Sequence, residues 1–204
     1  FFSTIELSYI ADAEIRKKMK RYLDYSCVDT IFNGGDAFRE LSIDLSSIDK
    51  DEKKNSMEKC KMLINQCYEM NSKIMHIVTG KFLGADCKNQ HIDAFIESAI
   101  ELCKTAKQRA ESYELCISLE IGDRYLDRKY LLGPTNEAVS AARIIQSECS
   151  NFGLLLDQSH LPIMQENSVR SLWLAKDYLT HIHLGNCFIK DPDAKHFGDK
   201  HIPF

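Results

Sequence analysis

Glu120, Asp157 and His183 combine residue types and positions suited to holding a metal ion. Glu120 closes the apolar run Leu115–Leu119. Burying a carboxylate there is costly unless a cation compensates. Its other reading is a carboxylate that has left the strand and pairs with Arg124. Asp157 ends the apolar run Leu154-Leu155-Leu156, and His160 follows three residues on. An acid and an imidazole just past a strand can converge on one small molecule; a helix N-cap is the competing use of such an aspartate. His183 closes His181-Ile182-His183. That spacing is taken to turn the two imidazoles to opposite faces of the sheet, so that one of them faces inward. Two carboxylates and one imidazole make an oxygen-rich set that suits Mn²⁺, with Mg²⁺, Co²⁺ or Zn²⁺ as other occupants. Three protein ligands leave room for the oxygens of a substrate.

These residues need elements to position them. Short apolar runs recur at Thr4–Leu7, Val28–Phe32, Ile74–Val78, Cys116–Ile121, Gly153–Leu156 and His181–Leu184. Continuous apolarity marks parallel strands buried on both faces. Between them lie amphipathic stretches. Met57, Cys60, Leu63, Ile64 and Cys67 step by three and four, as do Ile92, Phe95, Ile96, Ala99, Cys103 and Ala106. Further helices fit 11–23, 136–149 and 168–179, with Thr135 as a cap. The βα alternation over residues 1–204 predicts one domain of parallel strands with right-handed crossovers.

An open doubly wound sheet and a closed (β/α)8 TIM barrel both fit that alternation. Asn33-Gly34-Gly35 follows a strand, but no G-x-G-x-x-G or phosphate-loop pattern is present. Strand after strand ends in a polar group: Glu6, Asn33, His76, Glu120, Asp157, His183. Only a barrel brings so many strand ends to one place. A full barrel takes eight strands, and six are counted. The expectation is an incomplete barrel of about six βα units, lacking its first and last strands. Glu6, Asn33 and His76 are candidate substrate contacts; for Glu6 and His76 pairing within the core is the equal alternative. The loop Gly198-Asp199-Lys200-His201 is expected over the strand ends, with His201 within reach of substrate.

The bulk composition narrows the classes. The chain is 44% hydrophobic and 27% charged, with a net charge of −4. This fits one folded domain, lacks the basic footprint of a nucleic-acid binder, and contains no run of about 20 apolar residues for a membrane span. The eight cysteines are irregularly spaced with no C-x-x-C pair. They are read as reduced, buried thiols of a cytoplasmic protein.

At these residues the sequence resembles the xylose isomerase-like TIM-barrel superfamily, the sugar phosphate isomerases and epimerases. Leu119-Glu120-Ile121-Gly122-Asp123-Arg124 resembles the strand with the first metal glutamate and an arginine four residues on. Asp157-Gln158-Ser159-His160 resembles the family's D-x-x-H, in which the aspartate binds metal and the histidine touches substrate. His183-Leu184-Gly185-Asn186 resembles the metal histidine and its glycine turn, and 198–204 the loop toward the last strand. The resemblance implies a divalent metal on two adjacent oxygens of a ketose or aldose, with two carboxylates moving a proton through an enediolate. Glu120 matches one carboxylate. The other, a glutamate on the last strand, would lie beyond Phe204. The arginine that epimerases often place six residues after the metal histidine is Ile189 here. Alternative readings are an endonuclease IV-like metal phosphodiesterase and a non-catalytic sugar-binding barrel whose open edges favour a homo-oligomer.

Overall fold

The computed structural model describes residues 2–202. Six strands occur among them: β1 (Thr4–Leu7), β2 (Asp29–Phe32), β3 (Ser72–Ile77), β4 (Cys116–Ile121), β5 (Phe152–Asp157) and β6 (Leu179–His183). They form one parallel sheet in chain order, with Glu120 beside Leu155 and Asp157 beside His183. The connections carry α1 (Ala13–Ser26), α2 (Gly34–Glu40), α3 (Lys50–Glu69), α4 (Lys88–Gln108), α5 (Thr135–Glu148), α6 (His160–Ile163) and α7 (Ser168–Ala175).

Side chains decide between barrel and open sheet. β1 and β6 stand at opposite ends of the strand order, five spacings apart. In a flat sheet that is about 24 Å. Yet Glu6 Oε1 on β1 lies 2.7 Å from His183 Nε2 on β6. The sheet therefore curls until its first and last strands face each other across its interior. This is an incomplete (β/α)8 barrel, as the strand ends predict.

The local chemistry explains most elements. Asp12 and Asp49 cap α1 and α3, each carboxylate accepting two backbone N–H bonds. The predicted stripes are the buried faces of α3 and α4; only Ile92 among them is half-exposed. β5 is buried along its whole length. β1 and β6 are not, with Ile5 and Ile182 both over 40% exposed, because each is an edge strand.

Several expectations are corrected. Thr135 does not cap α5; Pro134 holds that position, and the Thr135 N–H and hydroxyl both bond the Glu166 carboxylate. The Gly34-Gly35 segment is helical: Asn33 caps α2 by accepting from Gly35 N–H. A Cβ on Gly34 would stand 2.0 Å from the His76 carbonyl oxygen, so only glycine lets this helix start against β3. α7 stops at Ala175, freeing Leu179 to open β6. Four cysteines are buried (60, 67, 103, 149), whereas Cys27 is exposed.

Candidate functional site

β1, β3, β4, β5 and β6 deliver their polar residues to the C-terminal end of the curled sheet. The groups there form two clusters that touch.

The first is rich in carboxylate. Glu120 Oε1 lies 3.5 Å from His160 Nε2, and Asp157 Oδ2 lies 4.0 Å from the same nitrogen. Donor atoms of these three side chains fall within 4.8 Å of one another. The Ser159 N–H and hydroxyl both donate to Asp157 Oδ1, at 2.7 and 2.8 Å, fixing the carboxylate. Its free Oδ2 faces His201 Nε2 at 3.2 Å and His183 Nδ1 at 3.8 Å. A Cβ on Gly185 would stand 3.0 to 3.2 Å from His201, Ser159 and Asp157, so a larger residue would crowd all three. Burial pushes the Glu120 and Asp157 carboxyls up, but hydrogen bonds from His160 and Ser159 outweigh it and hold both below their ordinary value. Burial pulls His160 down, and the Glu120 carboxylate with Asp199 more than reverses that, so it stays protonated above its ordinary range. His160 Nδ1 has no hydrogen-bond partner among the described residues.

The second cluster is rich in imidazole. Glu6 Oε1 lies 3.0 Å from His181 Nε2 and 2.7 Å from His183 Nε2. A carboxylate at neutral pH only accepts, so both Nε2 atoms carry hydrogen there. Asn33 Nδ2 donates to Glu6 Oε2 at 3.3 Å. Burial works against ionisation of Glu6, yet the bonds from His181 and His183 keep it far below the usual carboxylate range. His76 sits behind it, fully buried, with neither ring nitrogen hydrogen-bonded among the described residues. Burial drops its pKa to about 4 despite the nearby Glu6, so it is neutral.

His181 and His183 thus face the same side. Residues two apart on a strand share a face, and only neighbours alternate; the opposite-face expectation is wrong. Arg124 is also placed elsewhere. It is buried in an ion pair with Glu137 at 2.6 Å, stacked on Phe82, with its second terminal nitrogen also on Glu137. It does not reach substrate space, because the backbone turns after Gly122 and carries it toward α5. The arginines at the site are Arg39 and Arg128, and Arg128 Nε donates to Asp199 Oδ2 at 2.8 Å.

A cavity of about 110 Å³ opens between the clusters, lined by Asn33, Glu120, Asp157, His183, His201, Arg39, Arg128 and Tyr130 among others. A cleft of about 740 Å³ adjoins it over α2, α3 and the loop after β3; Arg39 and Tyr130 line both. Sequence reasoning singled out none of Arg39, Arg128, Tyr130 or Asp199. Only Asp199 had a signal, its place beside His201 in the predicted loop.

A curled parallel sheet with helical crossovers, and with acids and imidazoles at its C-terminal strand ends, is the architecture of a (β/α)-barrel. The chain belongs to the xylose isomerase-like TIM barrel family, whose sequence model matches residues 3–204. No curated protein matches it. Solved structures share the fold. D-psicose 3-epimerase from Clostridium cellulolyticum H10, solved with D-tagatose, superposes with a TM-score of 0.73 at 20% identity, covering 90% of this chain and 63% of its own. A D-tagatose 3-epimerase-like protein gives 0.76 at 16%, covering 98% and 71%. An AP endonuclease, family 2, from Brucella melitensis gives 0.73 at 16%, covering 95% and 72%. The chain thus spans less than two thirds of the length of the Clostridium epimerase. No helix among the described residues is long and apolar enough to cross a membrane.

Proposed function

We propose that the protein is a divalent-metal-dependent isomerase or epimerase of a sugar or sugar phosphate, acting by proton transfer beside a carbonyl. The observation that carries this reading is the pair of Asp157, buried, and Glu120, half-buried, on adjacent strand ends against imidazoles around a small cavity. Two ionised carboxylates held together out of water call for a cation. The donor set fits one: Glu120, Asp157 and the Nδ1 of His183, with His160 Nε2 close by. Oxygen-rich with one or two nitrogens, it suits Mn²⁺ best. When bound, the ion would polarise substrate oxygens and make the neighbouring C–H more acidic.

The chain's own groups have distinct tasks. Glu120, the carboxylate facing the cavity, takes or returns the proton. Glu6 holds His183 by its Nε2–H, which turns Nδ1 toward Asp157. Arg128, Tyr130 and His201 offer donors to sugar oxygens, and the adjoining cleft accommodates the remainder of the substrate. The test is incubation of the purified protein with Mn²⁺ and ketoses in deuterium oxide. Deuterium entering at C1 or C3 of the ketose, or at C2 of an aldose formed from it, dependent on metal and abolished in Glu120→Gln, is the expected result. No exchange with any ketose, or exchange indifferent to Glu120, overturns it. The endonuclease neighbour keeps a phosphodiesterase reading alive, against which the net charge of −4 argues. Salt-dependent binding to abasic duplex DNA would revive it.

A further inference from the structure

The imidazole-rich cluster is chemically unlike the carboxylate-rich one. Glu6, His76, His181 and His183 come from β1, β3 and β6, and one donor atom from each lies within 4.8 Å of the others. The three rings pack with centroids 5.1 to 5.2 Å apart. His76 is the telling member. It is fully buried, both of its nitrogens lack hydrogen-bond partners among the described residues, and its Nε2 stands 3.9 Å from Glu6 Oε1. That is too long for a hydrogen bond. It is close to the roughly 3.4 Å that separates two ligands of one tetrahedral ion with bonds of about 2.1 Å. A buried polar ring with nothing to bond needs an explanation, and a lone pair aimed at a shared cation supplies it.

We propose that Glu6, His76 and His181 hold a second divalent cation of the zinc class, separate from the site at Glu120 and Asp157, with the hydrogen that His181 Nε2 gives Glu6 in the metal-free chain moving to Nδ1 as the ion binds. Two imidazoles and one carboxylate from three strands leave a fourth position open, the pattern of a zinc site accessible to solvent or substrate. Nitrogen donors favour zinc or cobalt over manganese, whereas the carboxylate cluster has the opposite preference. His183 stands between the two. It keeps its Nε2–H on Glu6 and offers Nδ1 to the Asp157 side, so Glu6 is a ligand on one side and the support of a ligand on the other.

The test is Co²⁺ titration of chelator-treated protein, read by metal stoichiometry and by visible absorption, where a tetrahedral nitrogen-rich site absorbs strongly. The wild type is expected to bind two ions per chain and show the strong band. His181→Asn and His76→Gln each remove one ion and the band, weakening that site by at least about 100-fold. Glu120→Gln and Asp157→Asn remove the other ion and leave the band. Circular dichroism checks folding. His181 is partly exposed, so His181→Asn decides alone should the buried His76→Gln fail to fold. Binding of a single ion, lost in Asp157→Asn and unmoved in His181→Asn, overturns the second site while sparing the first. Loss of the band alone in the His181 variant, with the first site absent from the outset, overturns the proposed function and spares this one.

Discussion

Two buried charged clusters lie near each other in this molecule and are built on opposite principles. In the loop after β4, Arg124 faces Glu137, which Lys88 also bonds, while Asp123 accepts three backbone N–H groups from Leu126, Asp127 and Arg128. Each charge there meets its complement, and Arg124 Nε is the one buried side-chain nitrogen of this cluster left without a hydrogen-bond partner among the described residues. At the strand ends the fit is uneven: Glu6 bonds two imidazoles closely, whereas Glu120 and Asp157 stand 3.5 and 4.0 Å from His160, and among the described residues His76 and His160 keep nitrogens without a hydrogen-bond partner. A cluster whose charges are all paired has little capacity left for a ligand and does structural work. An unsaturated one, kept at a cost in stability, has donors to spare.

Glu120→Gln tests the unsaturated side most severely. It should lower metal-dependent proton exchange by about 10³-fold, the range of a lost acid–base group, while the protein stays folded by circular dichroism. Comparable activity in the variant removes Glu120 from the chemistry. Arg124→Met attacks the saturated side and should behave in reverse. Leaving Glu137 without its buried partner costs about 3 kcal/mol, read as a shift of the urea midpoint, with exchange per folded molecule nearly unchanged. Should Arg124→Met lose activity without losing stability, the clasp belongs to the site after all.

The difference between these clusters also explains what was legible in the sequence. Glu120 and Asp157 announce themselves because each ends an apolar strand, and a local contrast is readable without a fold. Arg124 has the same local look, but its partner lies 13 residues away on α5, and nothing near Arg124 signals it. Arg128 and Asp199 meet across 71 residues from two loops, where no periodicity operates. The paired orientation of His181 and His183 was available from the two-residue repeat of a strand, read with the wrong parity. α2 was hidden because Asn33-Gly34-Gly35 has the composition of a loop, and its helix depends on the backbone of β3 standing against Gly34.

That contact gives a smaller effect. Gly34→Ala pushes a Cβ into the His76 carbonyl, and overpacking of this kind costs about 1–3 kcal/mol. Thermal melting should fall, and exchange should weaken with it, because Asn33 and His76 sit on either side of the displaced backbone. A melting temperature equal to wild type would show that α2 starts elsewhere.

The smallest effect separates the clusters by pH. Glu137 is pushed up by burial and pulled below its ordinary value by Arg124 and Lys88. A depressed carboxyl stabilises the fold above its unfolded pKa, and loses that contribution as pH falls through the folded one. Arg124 does not deprotonate, so its contact with Glu137 has no alkaline limb. The stability difference between wild type and Glu137→Gln, about 1 kcal/mol, should therefore be flat above the ordinary carboxylate range and shrink only in acid. The Glu120–His160 contact differs in kind. Glu120 is held down and His160 is raised by the same contact. Its contribution needs an ionised acid and a protonated imidazole together. It is lost in acid through Glu120, and lost again as pH rises above the ordinary histidine value through the raised His160. In metal-free protein, the difference between wild type and Glu120→Gln should thus form a bell where that for Glu137→Gln forms a plateau. Two plateaus would mean that His160 is neutral throughout, and that the strand-end carboxylates rely on a cation alone for their charge balance.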